Sequence, residues 1–107
     1  MNDQPTDATL IAESIELPDR FGQVFDRHYG DVRAFAWRRL GADHADDVAA
    51  EVFARAFSQR VKYDVAEPDA APWLFGIASN LVRMQARTES RRLRALARSG
   101  GVPEGDF

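Results

Sequence analysis

Six arginines crowd the last third of this 107-residue chain: Arg83, Arg87, Arg91, Arg92, Arg94 and Arg98. Ser79 and Asn80 stand just before them. An asparagine amide offers a donor and an acceptor together, as a base edge requires. A polar face that turns cationic is a surface for a polyanion. The same residues also suit a plain solvated helix end, because cations favour the negative C-terminal pole of the helix dipole. Charge alone leaves these two readings level.

Other chemistry falls away. The two histidines are His28 and His44. His28 lies beside an apolar stripe and reads as a packing residue. His44 has Asp43, Asp46 and Asp47 nearby, but no second histidine at ligand spacing, so no metal site is expected. Asp46 and Asp47 look like paired carboxylates, yet adjacent helix positions diverge by about 100° and would not converge on one atom. Cysteine is absent, which removes disulfides, thiolate metal sites and thiol nucleophiles together. There is no glycine-rich phosphate loop, and no nucleophile has an evident base partner. The expectation is a non-enzyme without cofactor or metal.

The elements that must position these residues show in the apolar periodicity. Trp73, Leu74, Ile77, Ala78, Leu81 and Met84 trace one side of a helix running to Arg98. Asp69 can cap it, with Pro72 in its first turn. An earlier stripe, from Phe21 through Val24, Phe25, His28, Tyr29, Val32, Phe35 and Ala36 to Leu40, marks a helix with Asp19 as N-cap and Gly41 as C′ residue. Gly30 within it costs up to about 1 kcal/mol relative to Ala, and close approach of another helix is the expectation there. A helix from Asp43 buries Ala45, Val48, Val52, Phe53, Ala56 and Phe57, and leaves Asp47, Ala50, Glu51 and Arg55 off that face. Glu51 and Arg55 form an i,i+4 pair of favourable polarity, worth about 0.2–0.5 kcal/mol. Residues 59–72, with Pro68 and Pro72, form a loop.

The domain reading follows. Residues 1–18 are a disordered leader or a short docking turn through Leu10, Ile11, Ile15 and Leu17. Residues 19–98 are an all-α bundle of three main helices, and 99–107 are a glycine-rich linker or frayed tail. No apolar run approaches the roughly 20 residues needed to cross a bilayer, and the polar, acidic start is no secretory signal, so a cytoplasmic protein is the default. The net charge of −3 hides an asymmetry: residues 1–70 hold fourteen acids against eight bases, whereas 71–107 hold six arginines against three acids.

Three stretches together resemble region 2 of the sigma-70 superfamily, in particular the extracytoplasmic-function group of bacterial sigma factors. They are FGQVFDRHYGDVRAFAWRRLG (21–41), DDVAAEVFARAF (46–57) and PWLFGIASNLVRMQARTESRR (72–92). Order and spacing agree as well, over about residues 20–98. Ala50 stands where the family usually has a glutamine, Gly76 where an arginine is common, and Gln85 where an aspartate is frequent. Nothing here resembles region 4, the second DNA-reading domain of such factors, so an excised domain is the expectation.

The resemblance implies a function: docking on core RNA polymerase, with recognition and melting of the promoter −10 element. Asp47, Glu51 and Arg55 would lie on the surface that meets the β′ clamp helices. Phe53, on the apolar stripe, reads as core. Asn80, with Ser79 beside it, would read a base of the non-template strand. Arg83, Arg87 and Arg91 would meet phosphates. Lys62 and Tyr63, in the loop, would contact backbone and stack on a base, although Tyr63 covering the core edge is as good a reading. Trp73 would be mainly structural. An anti-sigma factor is a further partner the family admits. The competing reading is an all-α protein-interaction module whose basic tail is incidental; sequence-preferring strand binding that depends on Asn80 separates the two.

Overall fold

Four amphipathic segments bury their stripes against one another. A computed structural model describes residues 3–99. Its helices are α1 (Asp7–Glu13), α2 (Phe21–Leu40), α3 (Ala42–Ser58) and α4 (Ala71–Arg98), with single 3-10 turns at Pro18–Arg20 and Arg60–Lys62. The fold is all-α, as expected, with no strand among the described residues. Val24, Val32 and Ala36 of α2, Ala49 and Val52 of α3, and Leu74 and Ala78 of α4 are fully shielded from solvent. Burying a Val or Leu side chain contributes about 1.5–3 kcal/mol, so this shared core holds the three long helices together. Gly41 turns α2 into α3 at φ +84°, a left-handed conformation that L side chains rarely adopt.

Beside the three main helices, the N-terminal end adds a short fourth. Of the two expectations for residues 1–18, a disordered leader or a short docking turn, Asp7–Glu13 follow the second, as the two-turn helix α1. Thr6 caps α1 by accepting the Thr9 N–H at 3.1 Å. Leu10 and Ile11 are each 1 % exposed, so α1 is sealed into the core. Ile15 and Leu17 stay exposed. Asp19 does not cap α2. It sits in the 3-10 turn, and α2 begins at Phe21 without a side-chain cap. Gly30 has no other atom within 4 Å of where a Cβ would stand, so no helix approaches it closely.

Three stripe residues are more exposed than their spacing suggests: Phe25, Phe57 and Met84. The two phenylalanines still pack edge-on, Phe25 on Phe53 with ring centres 4.9 Å apart and Phe57 on Phe21 at 5.5 Å. The molecule is elongated, 63 × 25 × 20 Å, because α4 outruns the bundle. Twenty-eight residues make a rod of about 42 Å, and every described residue from Arg91 on is exposed. Of the expected C-terminal linker, residues 100–107 lie outside the described residues.

Candidate nucleic-acid interface

The α4 surface is laid out by the burial of its opposite side. Leu74, Ala78, Leu81 and Val82 face the core. At 100° per residue, Asn80, Arg83, Arg87 and Arg91 then fall within an arc of about 80° on the outer side. All four are exposed. Arg94 and Arg98 fall in the same arc, which extends the file of cations to the helix end. Sequence reasoning noted both as basic without placing them in the file; their three- and seven-residue spacing from Arg91 was the available signal. Ser79 lies at the edge of this face and is half-buried. Glu89 is turned away and pairs with Arg92 at 3.0 Å. Among the described residues, no acid pairs with Arg83, Arg87, Arg91, Arg94 or Arg98 in an ion pair.

Asn80 is less free than its side chain suggests. Arg83 donates to its Oδ1, which leaves the amide N–H groups as the donors facing outward. Arg83 takes up one of the two lone pairs of that oxygen, and the acceptor half is fully open to a base when Arg83 swings to another partner, such as a phosphate.

The loop before α4 is folded by its own hydrogen bonds. The Asp64 carboxylate accepts the Ala66 N–H at 3.0 Å, and Asp69 accepts the Ala71 N–H at 2.9 Å. Pro72 stands in the first turn of α4 as expected, but the N-cap position is Ala70, without a side-chain cap, and Asp69 lies one residue ahead of it. Tyr63 is buried. Its hydroxyl donates to the Glu67 carbonyl at 2.6 Å, and its ring lies against Trp73 with centres 4.7 Å apart. Of the two readings open for Tyr63, burial favours the core edge over a stacking platform. Burial, then the carboxylates of Asp7, Glu67, Asp69 and Asp64, push its hydroxyl above the ordinary tyrosine range. Lys62 is exposed at the end of the 3-10 turn. It shares an open recess with Tyr63, Asp64, Glu67, Pro72 and Trp73. The structure thus brings Lys62, Tyr63 and Trp73 to the foot of α4, and Asn80 with the arginines up its outer face.

Asp47, Glu51 and Arg55 sit on the exposed side of α3. Arg55 Nε and Glu51 Oε2 are 2.9 Å apart, the pair expected from the spacing. Asp47 and Glu51 border a groove whose other wall is Leu81, Met84, Gln85 and Thr88 of α4. Asp46, by contrast, is tied down. Arg33 holds it at 2.5 Å and Tyr29 donates to it at 3.3 Å; the Arg33 guanidinium lowers its carboxyl below the ordinary value. Phe53 is core, as expected.

A buried junction, missed by sequence reasoning, ties these parts together. Asp7 Oδ1 accepts from Arg27 at 3.0 Å, while its Oδ2 lies 2.7 Å from His28 Nε2 and accepts the Ala70 N–H at 2.8 Å. Burial pushes the Asp7 carboxyl up, but the Ala70 N–H, His28 and Arg27 outweigh it and hold the group below its ordinary value. His28 is therefore a hydrogen-bond partner of the Asp7 carboxylate rather than a packing residue. With Asp69, these two side chains place three potential ligand atoms within 4.8 Å of one another. The Asp7 oxygens are already engaged by an arginine, a histidine and a backbone amide, which is hydrogen-bonding rather than metal-ligating geometry.

A family model described as Sigma-70 region 2 matches residues 24–92. Among solved structures, the chain is similar to an engineered region 2 of sigmaE, determined by NMR in complex with GTAAAA. The TM-score is 0.74 with 26% sequence identity, covering 87% of this chain and 98% of that one. No curated protein sequence matches the chain.

Proposed function

The chain belongs to the sigma-70 region 2 family, and from that premise we propose that it docks on core RNA polymerase and recognises and helps melt the promoter −10 element. The family is one of transcription factor domains rather than enzymes, and its members bind core polymerase and promoter DNA. No described helix is long and apolar enough to cross a membrane.

The observation that carries the site assignment is the file on α4. Asn80 stands at its start, cations with no acid partner among the described residues follow it, and the Lys62–Trp73 recess opens at its foot. Arg83, Arg87 and Arg91 track the phosphates of the non-template strand, which supplies affinity without sequence information. Asn80 reads a base edge once Arg83 has moved to a phosphate. Lys62 meets the backbone where the strand leaves the recess. Tyr63 shapes that recess from beneath. Ser79 acts at the margin. The domain binds the opened strand and not the closed duplex, so its binding energy shifts the promoter toward the open form. The structural neighbour, a sigmaE region 2 bound to a short oligonucleotide, supports this reading.

Asp47, Glu51 and Arg55 are the proposed docking surface for the β′ clamp helices. Exposed charges of this kind steer encounter and fix register. An anti-sigma factor covering the same α3 face would compete with polymerase.

The experiment is co-purification of the chain with core bacterial RNA polymerase, beside a Glu51→Arg variant, followed by selection from a random-sequence single-stranded DNA pool. Retention lost in the variant, together with a selected motif whose preference weakens in Asn80→Ala, is the expected result. Retention of neither chain, with no strand enriched, would overturn the reading.

A further inference from the structure

From the Asp7 junction, which lies outside the matched range 24–92, we propose that α1 is a working part of the strand reader and Asp7 its positioning residue. The inference rests on the reading above that the loop and α4 hold the strand. The first turn of α1 grips the end of that loop twice. The Ala8 N–H donates to the Pro68 carbonyl at 3.3 Å, and the Ala70 N–H donates to Asp7 Oδ2 at 2.8 Å. Those bonds set where Ala71 enters α4, and hence where Trp73 stands against Tyr63.

The grip is anchored from the other side. Arg27 and His28, both on α2, hold the same carboxylate, whose side chain is only 5 % exposed. One buried anion therefore joins α1, α2 and the start of α4. Ala70 is fully buried, so no water can replace Asp7 as its acceptor without opening the junction. A loop that must hold an unstacked base gains affinity from being fixed in advance, because less freedom is lost on binding. Asp7 acts through the loop and touches no nucleotide.

Asp7→Asn keeps the shape and removes the charge. Arg27→Gln is the comparison: it removes a partner of the same carboxylate without touching Ala70. Both variants, and Asp19→Asn as an exposed control, are assayed for polymerase retention, for affinity toward the strand selected by the wild-type chain, and for hydrogen exchange of the Ala70 amide. Asp7→Asn should speed Ala70 exchange and weaken strand binding about tenfold, the scale of one charge-assisted hydrogen bond, while polymerase retention stays unchanged. Arg27→Gln and Asp19→Asn should leave strand affinity within about twofold, because the loop bond survives in each. Equal losses in Asp7→Asn and Arg27→Gln would indicate general damage and overturn the inference. So would an Asp7→Asn variant that binds the strand as tightly as the wild type. If Asp7→Asn does not fold, exchange of Ala70 in the wild type with and without strand decides: deeper protection with strand supports the coupling, and no change overturns it. A wild-type chain that selects no strand at all refutes the underlying reading, and this inference with it, in a way the variants alone do not.

Discussion

Replacing the α4 arginines by glutamine should flatten the salt dependence of strand binding in even steps. Five of them, Arg83, Arg87, Arg91, Arg94 and Arg98, stand in one arc of about 80°, and among the described residues none is in an ion pair. For a single strand, log K falls with log salt with a slope of about −0.7 for each phosphate neutralised. One arginine on one phosphate therefore accounts for roughly a 2.6-fold loss of affinity between 50 and 200 mM salt, and three for roughly an 18-fold loss. Arg87→Gln should remove one such step, and the triple Arg83, Arg87, Arg91→Gln variant about three. Glutamine preserves length and helix propensity, so α4 itself should persist. The assay is fluorescence anisotropy of a labelled selected strand across a salt series. Arg83 should behave differently from the other two, because its loss also frees the Asn80 Oδ1 it now occupies. Arg83→Gln should alter base preference as well as slope, whereas Arg87→Gln and Arg91→Gln should alter slope only. A triple variant with the wild-type slope would refute the reasoning and return the arginines to an ordinary solvated face.

Three further outcomes are expected. Gly76 lies in the same arc, has no other atom within 4 Å of its would-be Cβ, and occupies a helix interior; Gly76→Arg should tighten strand binding, steepen the salt slope by about 0.7, and lengthen open-complex lifetime, with equal lifetimes counting against it. Leu74→Ala, at a fully buried core position, should destabilise the fold by about 2–5 kcal/mol, read as a lowered midpoint in urea titration. The Asp7 carboxyl is held below its ordinary value of 3.8, so the stability it contributes is present above that pH and is lost as pH falls through the folded value beneath it. Asp7→Asn should therefore be less stable at neutral pH and lose less on acidification below 3.8, measured by unfolding at stepped pH; parallel acid limbs would contradict the assignment.

Elements governed by local pattern were legible in the sequence. The α2, α3 and α4 stripes, the Gly41 turn, the Asp69–Pro72 entry and the Glu51–Arg55 pair all depend on residues at most four positions apart along the chain, which periodicity and capping rules address directly. The Asp7 junction was not legible for the opposite reason. Its partners stand 20, 21 and 63 residues away, and the segment around it is short, polar and broken by Pro5, so nothing local distinguishes it from a leader. Tyr63 shows the same limit: a tyrosine between two charged loop residues reads equally as platform or as plug. Only its contact with Trp73 and its bond to Glu67 choose between them. Asn80 was legible as a polar position on the outer face. The direction of its donors was not, because that depends on where the Arg83 side chain rests.

The charge asymmetry of the chain takes on a structural meaning once the helices are placed. Part of the acidic charge in the first 70 residues is locally paired, although each pair also uses a base and the excess of acids stands. Asp7 is paired with Arg27, Asp46 with Arg33, Glu51 with Arg55 and Glu13 with Arg20. The file on α4 keeps its charge, since the single acid of that helix is paired on another side. Around the α4 axis, the groove that Asp47 and Glu51 border, through Leu81, Gln85 and Thr88, lies roughly 100° from Asn80. The cationic file and the α3-facing groove thus lie on different faces of one helix. On the proposed reading a partner on α3 and a strand on α4 would not compete for one face, and the core formed by Val52, Leu74 and Ala78 fixes the angle between the two helices. The turns beyond Glu89 are exposed, so on the proposed reading their arginines would add reach along the strand.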